Sequence, residues 1–265
     1  MPPSRPVARR AAPPAAAPSA HPVPPPRAFG QVLVSAQGLA KTYAVGDVKT
    51  RALDGVDLDV RAGEMVAIMG PSGCGKTTLL NCLSGLEAPS AGRVSVSGTD
   101  LWAMSDNART RFRARTMGFV FQAYNLLPVL TGEENVELPL LVSGLRPREA
   151  RTEAQKALAM VGLVDRGHHR PQQLSGGQQQ RVAIARSLVH DPPIVWADEP
   201  TGNLDTATGR DIVDLVVRLN RETGKTFVIV THDADIASRC DRIVRMDSGR
   251  ILDGPAVALA RRAGT

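Results

Sequence analysis

The segment Gly70-Pro71-Ser72-Gly73-Cys74-Gly75-Lys76-Thr77-Thr78 carries the plainest chemistry in the chain. Before it, Met65-Val66-Ala67-Ile68-Met69 is short and apolar and reads as a buried strand. After it, Thr77 to Leu83 reads as the first turns of a helix. A glycine-rich turn in that setting lets backbone N–H groups converge on an anion, and the helix start adds partial positive charge. Lys76 is placed to reach the β- and γ-phosphates of a nucleoside triphosphate, and the Thr77 hydroxyl to ligate Mg2+. The Cys74 side chain is expected to point away from the ligand.

Two further clusters fit the same substrate. Asp198 ends the apolar run Ile194-Val195-Trp196-Ala197, so it sits at a strand terminus, where a carboxylate holds Mg2+ directly or through water. Glu199 follows and points differently, as a base for attacking water must. Leu174-Ser175-Gly176-Gly177-Gln178-Gln179-Gln180-Arg181 places a serine and two glycines at a helix start, a second anion site. Two phosphate sites and one metal site in one chain imply a head-to-tail dimer, each copy's second site closing over its partner's nucleotide.

The elements that position these groups follow from patterning. Val32 to Ala36, Gly92 to Gly98 and the alternating Val56-Asp57-Leu58-Asp59-Val60 read as strands, the last half-buried and antiparallel. Ser105 opens a basic helical segment reaching Arg115, and Phe119-Val120-Phe121 is a strand ending at Gln122. Residues 123–172 read as mainly helical: a short helix from Glu133 to Leu140 stopped by Pro139, then one from Arg148 to Val161 with Pro147 in its first turn. Ser175 caps a helix to about Leu188. A helix from about Ala207 to Arg221, the buried strand Phe227 to Val230, and a closing hairpin over Asp241 to Leu252 complete the pattern. Alternating strands and helices imply a parallel sheet wrapped by helices behind an N-terminal β layer.

Composition narrows the class. The chain has 265 residues, 43% hydrophobic and only 3% aromatic, so a core of Val, Leu, Ile, Ala and Met is expected. The net charge of +6 is uneven: residues 1–29 hold Arg5, Arg9, Arg10 and Arg27 and no acid. That Pro/Ala-rich stretch reads as a disordered or polyproline II tail, and the balanced remainder implies no nucleic-acid surface. The widely spaced Cys74, Cys82 and Cys240 point to reduced thiols of a cytosolic protein. No run reaches the roughly 18–20 apolar residues that cross a bilayer, and no secretory signal is evident. A soluble protein that serves a membrane only through a partner is expected.

These motifs, with Gln122, Gly202-Asn203-Leu204-Asp205 and His232, give the chain a resemblance to the ABC ATPase family over roughly residues 31–254. The resemblance implies a P-loop α/β core with an N-terminal antiparallel β layer. It places an inserted helical subdomain at about 123–190, a nucleotide-binding domain at 30–254, and a tail or short helix at 255–265. It implies that Tyr43 stacks on adenine, that Gln122 contacts Mg2+ or the water and couples to a membrane partner, and that Asp205 lies at the dimer seam. His232 would contact the γ-phosphate and support Glu199. Ser175, Gly176, Gly177 and Gln178 would close on the partner's ATP.

Within that family the chain is most similar to the subfamily that powers lipoprotein release and macrolide export. The stretches that carry this are Thr50 to Leu53, Asn81 to Leu86, Phe121 to Pro128, Asn135 to Leu140 and Asp198 to Asp205. The resemblance implies a permease docking near Gln122 and residues 123–140, at the cytoplasmic face of the inner membrane. An ATPase for an importer of polar solutes is the alternative, and a non-transport member acting on nucleic acid a more distant one.

Overall fold

The computed structural model describes residues 28–252. The expected C-terminal segment, and all but the last two residues of the expected N-terminal tail, lie outside the described residues.

Two sheets pack against each other. β1 (Val32–Val45) and β2 (Val48–Arg61) form a long hairpin, joined by β4 (Ala91–Val96) and the two-residue β5 (Thr99–Asp100). This antiparallel sheet has the order β2-β1-β4-β5. The second sheet holds β3 (Met65–Met69), β6 (Met117–Phe121), β7 (Ile194–Asp198), β8 (Thr226–Thr231), β9 (Arg242–Asp247) and β10 (Arg250–Ile251). Its order is β10-β9-β3-β8-β7-β6, parallel except for β10.

The central strands are apolar on both faces, as a covered parallel sheet requires. Val66, Ile68, Ile194, Trp196, Val228 and Val230 face the antiparallel sheet and helix α1 (Lys76–Leu83). Met65, Ala67, Val195, Ala197, Phe227 and Ile229 face the opposite way, toward α4 (Pro147–Met160), α5 (Gly176–Leu188) and α6 (Thr206–Thr223). Helix α1 is thus held between two sheets, with Leu79, Leu80 and Leu83 buried, and the loop before it has a rigid base. The core is aliphatic as expected, with Trp196 and Phe227 its largest members.

Helices α2 (Asp106–Thr116), α3 (Gly132–Val142) and α4 precede α5 in the chain, with short 3-10 turns at Val164–Arg166 and Pro171–Gln173. Ser105 caps α2 and Pro147 opens α4, as the sequence indicates.

One expectation is corrected. α3 does not stop at Pro139 but runs through it to Val142. An interior proline removes one hydrogen bond and costs about 3 kcal/mol, and several anchors offset it. Thr131 and Glu134 form a capping box, and the Arg151 guanidinium pairs with Glu137 at 2.8 Å. Asn135 is fully buried, accepting from Leu127 N–H at 2.8 Å and donating to Leu127 O at 3.1 Å and Thr131 O at 2.8 Å. A short helix α7 (Ala234–Ser238), capped by Asp233, was not legible, because five residues carry no apolar period.

Candidate functional site

Register brings the site together. Phe121 pairs with Asp198, Asp198 with Val230, and Ile68 with Val230, so the C-terminal ends of β3, β6, β7 and β8 lie side by side. The loop at Gly70, Gln122, Asp198, Glu199 and His232 therefore emerge along one sheet edge, the usual place for a ligand in an open α/β sheet.

In the phosphate loop, Gly73 and Gly75 adopt φ of +79° and +103°, in the region that favours glycine. A Cβ on Gly75 would lie 2.4 Å from Ala52 O, and one on Gly70 2.2 Å from Met246 O. Two of these glycines are thus required by backbone contacts with β2 and β9 as well as by an anion. Cys74 is 5% exposed and packs into the core, as expected. Lys76 donates from Nζ to Gly70 O and Pro71 O, both at 2.9 Å, which folds its ammonium over the loop. The first turn of α1 has no side-chain cap, so its N–H groups remain for an anion.

Beside the loop, Thr77 Oγ1 donates to Asp198 Oδ1 at 3.1 Å. Burial raises the Asp198 pKa, and Glu199 adds to the rise against the Thr77 hydrogen bond and Lys76. Two hard oxygen donors converge here, which fits Mg2+ with phosphate and water as its other ligands. Among the described residues no group of three or more His, Cys, Asp or Glu gathers as a metal site.

Glu199 has φ +45°, left-handed for a non-glycine residue, at a cost of roughly 1–2 kcal/mol. The bend is fixed by Glu199 N–H to Val230 O and Gly202 N–H to Glu199 O, both 3.0 Å. It sets the carboxylate against His232, whose Nδ1 lies 3.0 Å from Glu199 Oε1. An ionised carboxylate only accepts, so Nδ1 carries the proton and Nε2 is left as the outward nitrogen. An open cavity of about 540 Å3 borders this pair, with Gly202, Asp205 and Thr206 along its wall.

Gln122 sits at the same edge, but its amide engages Asn203: Nε2 donates to Asn203 Oδ1 at 3.2 Å, and Asn203 Nδ2 donates to Gln122 O at 3.0 Å. A Cβ on Gly202 would lie 2.7 Å from Gln122 Nε2, so the glycine lets the Gln122 amide lie close against this turn. Asn203 was legible only as a member of a motif. Asp205 caps α6, accepting from Ala207 N–H, Thr208 N–H and the Thr208 hydroxyl, and these bonds hold its pKa down.

The tip of α5 is built differently. Ser175 and Gln178 form a capping box: Gln178 N–H donates to Ser175 Oγ at 3.3 Å and Ser175 N–H to Gln178 Oε1 at 2.9 Å. A Cβ on Gly177 would lie 2.5 Å from the Thr208 methyl, and one on Gly176 3.0 Å from the Tyr124 hydroxyl. These glycines let the tip press against α6 and the loop after Gln122. That loop, with left-handed Tyr124 and Asn125, is gripped by Arg186, which donates to both carbonyls.

Tyr43, on β1, is 37% exposed, and its phenol reaches Glu87 and Thr78. It stands beside α1, next to the end of the phosphate loop.

A loop cradle between parallel strand and helix, with an aspartate at the end of the next strand but one, defines the class of P-loop nucleoside triphosphatases. A family described as "ABC transporter" matches residues 53–202. An uncharacterized ABC transporter ATP-binding protein of Thermotoga maritima is 52% identical over 211 residues, 80% of this chain and 90% of that one. The lipoprotein-releasing system ATP-binding protein LolD of Chromohalobacter salexigens is 47% identical over 227 residues, 86% and 96% of the two chains. Among solved structures, the dimeric ATP-binding cassette MJ0796 with ADP and Pi aligns with a TM-score of 0.77 at 44% identity, covering 83% of this chain and 97% of that one. The chain belongs to the ABC transporter family, as an ATPase subunit. Tyr43, Asp205 and His232 lie outside the matched residues and rest on their geometry.

Proposed function

We propose that two copies of this chain clamp two ATP molecules and use their hydrolysis to drive a membrane permease of the lipoprotein-release type. The Glu199–His232 pair, held at 3.0 Å beside the Thr77–Asp198 pair, is the observation that carries this reading.

ATP enters with its β- and γ-phosphates on the N–H groups of Gly73 to Thr78, and Tyr43 stacks on the adenine. Lys76 leaves its two carbonyls to neutralise phosphate charge. Thr77 and Asp198 would hold Mg2+, with Gln122 able to reach toward it when released from Asn203, and the ion would supply shielding for the developing negative charge. Glu199 takes a proton from a water as its oxygen bonds to the γ-phosphorus, and the bond from that phosphorus to the β–γ bridging oxygen breaks, giving ADP and phosphate. Such a base contributes roughly 10²–10⁴-fold. His232 orients Glu199 by donating from Nδ1, and Nε2, when it carries a proton as well, donates to the γ-phosphate. The second copy supplies Ser175, Gly176, Gly177 and Gln178. Ser175 Oγ accepts inside its own helix, so its proton is available to donate to phosphate, and Asp205 lies at the seam between copies. Hydrolysis removes the bridging γ-phosphate, and the copies part.

The permease would dock near Gln122 and residues 123–140. The contacts of Gln122 with Asn203, and of Tyr124 with the α5 tip, supply a route from docking surface to catalytic edge. No helix among the described residues is long and apolar enough to cross a membrane, which suits attachment to the cytoplasmic face through that partner. The lipoprotein-release branch rests on the names of relatives at 46–51% identity. Purification of the complex from native membranes tests it. A permease with few membrane helices and a large external domain is expected; a many-helix solute permease would instead make this an importer subunit.

A further inference from the structure

Tyr43 can serve as a base platform only if its ring is held still, and the structure braces it from behind. The phenol O–H donates to Glu87 Oε2 at 2.8 Å, while Glu87 Oε1 pairs with Lys41 Nζ at 2.9 Å. Lys41 also donates to Ala88 O at 2.7 Å and stands 5.0 Å from the Tyr43 ring centroid. The cation stands over one side of the ring.

The brace is anchored to the phosphate loop's own helix. Glu87 N–H donates to Asn81 O of α1 at 3.1 Å. Ser90 N–H donates to Ala40 O at 2.7 Å, and Thr42 N–H to Ser90 Oγ at 3.0 Å, so residues 87–90 are clipped to β1 on either side of Lys41. The Lys41 and Glu87 side chains are 15% and 28% exposed, and such a pair adds little stability by itself. What distinguishes it is the third partner, the phenol.

We propose that Glu87 is a positioning residue for the nucleotide base. It fixes the Tyr43 ring relative to α1, so that base and phosphates are read across one set span. This rests on the reading of Tyr43 as the adenine platform.

The test compares ATP with inorganic tripolyphosphate, which lacks a base, by titration of the full chain and its variants. Glu87→Ala is expected to raise the Kd for ATP about fivefold, within the range of lost aromatic–base stacking. It should leave tripolyphosphate binding and kcat at saturating ATP within about twofold. Glu87→Gln, which still accepts from the phenol, should restore most of the affinity. In a Tyr43→Ala background Glu87→Ala should add nothing. Equal losses for ATP and tripolyphosphate, or an undiminished effect in the Tyr43→Ala background, would overturn the proposal. If Tyr43→Ala weakens ATP binding and Glu87→Ala does not, the proposal alone fails. If Tyr43→Ala has no effect, the platform reading fails and takes the proposal with it.

Discussion

The start of α1 and the start of α5 are both serine- or glycine-bearing helix tips, yet only the first has the Thr77–Asp198 and Glu199–His232 pairs of its own chain beside it. At α1, Gly75 gives no side-chain cap, Lys76 and Thr77 stand in the helix's first turn, and Asp198, Glu199 and His232 come from neighbouring strand ends. At α5, Ser175 and Gln178 cap each other, and the glycines fit the tip against Thr208 and Tyr124. The first tip needs an anion to satisfy it. The second is complete as a helix start, with Ser175 exposed and its Oγ accepting from Gln178 N–H. A site prepared in one chain and a capped tip elsewhere on it are what the proposed nucleotide-bridged dimer requires.

The largest expected effect lies at the prepared tip. Glu199→Gln keeps the shape and removes the proton acceptor, so ATP turnover should fall by about 10²–10³-fold while ATP still binds, measured as phosphate release against nucleotide titration. Gly75→Ala puts a methyl 2.4 Å from Ala52 O at φ +103°, and ATP affinity should fall by roughly 100-fold. Gly176→Ala meets the ends of two side chains, the Tyr124 hydroxyl at 3.0 Å and Leu204 at 3.2 Å, and should leave the affinity of a single copy unchanged. Equal losses at both glycines would erase the contrast between the tips. A smaller effect separates cap from chemistry. Ser175→Ala should lower unfolding free energy by about 1 kcal/mol in denaturant and lower turnover more than tenfold as well, while Asp205→Ala should lower the denaturation midpoint through loss of the α6 cap. The smallest effect concerns thiols: burial raises the Cys82 pKa to about 11 and that of Cys240 to about 12. Neither should be alkylated at pH 8 in the native state, and both should react once the chain is unfolded, as mass spectrometry would record.

Local signals were legible and long-range ones were not. The apolar run before Gly70, the strand ending at Asp198, the Ser105 and Ser175 caps and Pro147 at a helix start each depend on near neighbours, and the structure has them. Pro139 misled because the anchors that carry α3 through it, Arg151 on α4 and the carbonyls around Asn135, are set by tertiary packing. The demands on Gly70 and Gly75 come from Met246 and Ala52 on other strands, and no local pattern encodes them. Gln122 with Asn203, and Tyr43 with Glu87, are partners far apart in sequence, so neither pairing was readable although three of the four residues stood in quoted motifs.

Static light scattering of Glu199→Gln, with and without saturating ATP and Mg2+, addresses the bridge between copies directly. Nucleotide is expected to double the mass, and adding Ser175→Arg should hold the protein at single-chain mass with ATP still bound. A Glu199→Gln chain that remains single when saturated, or a Ser175→Arg double variant that pairs as readily as its parent, would contradict a nucleotide completed by the second copy's α5 tip.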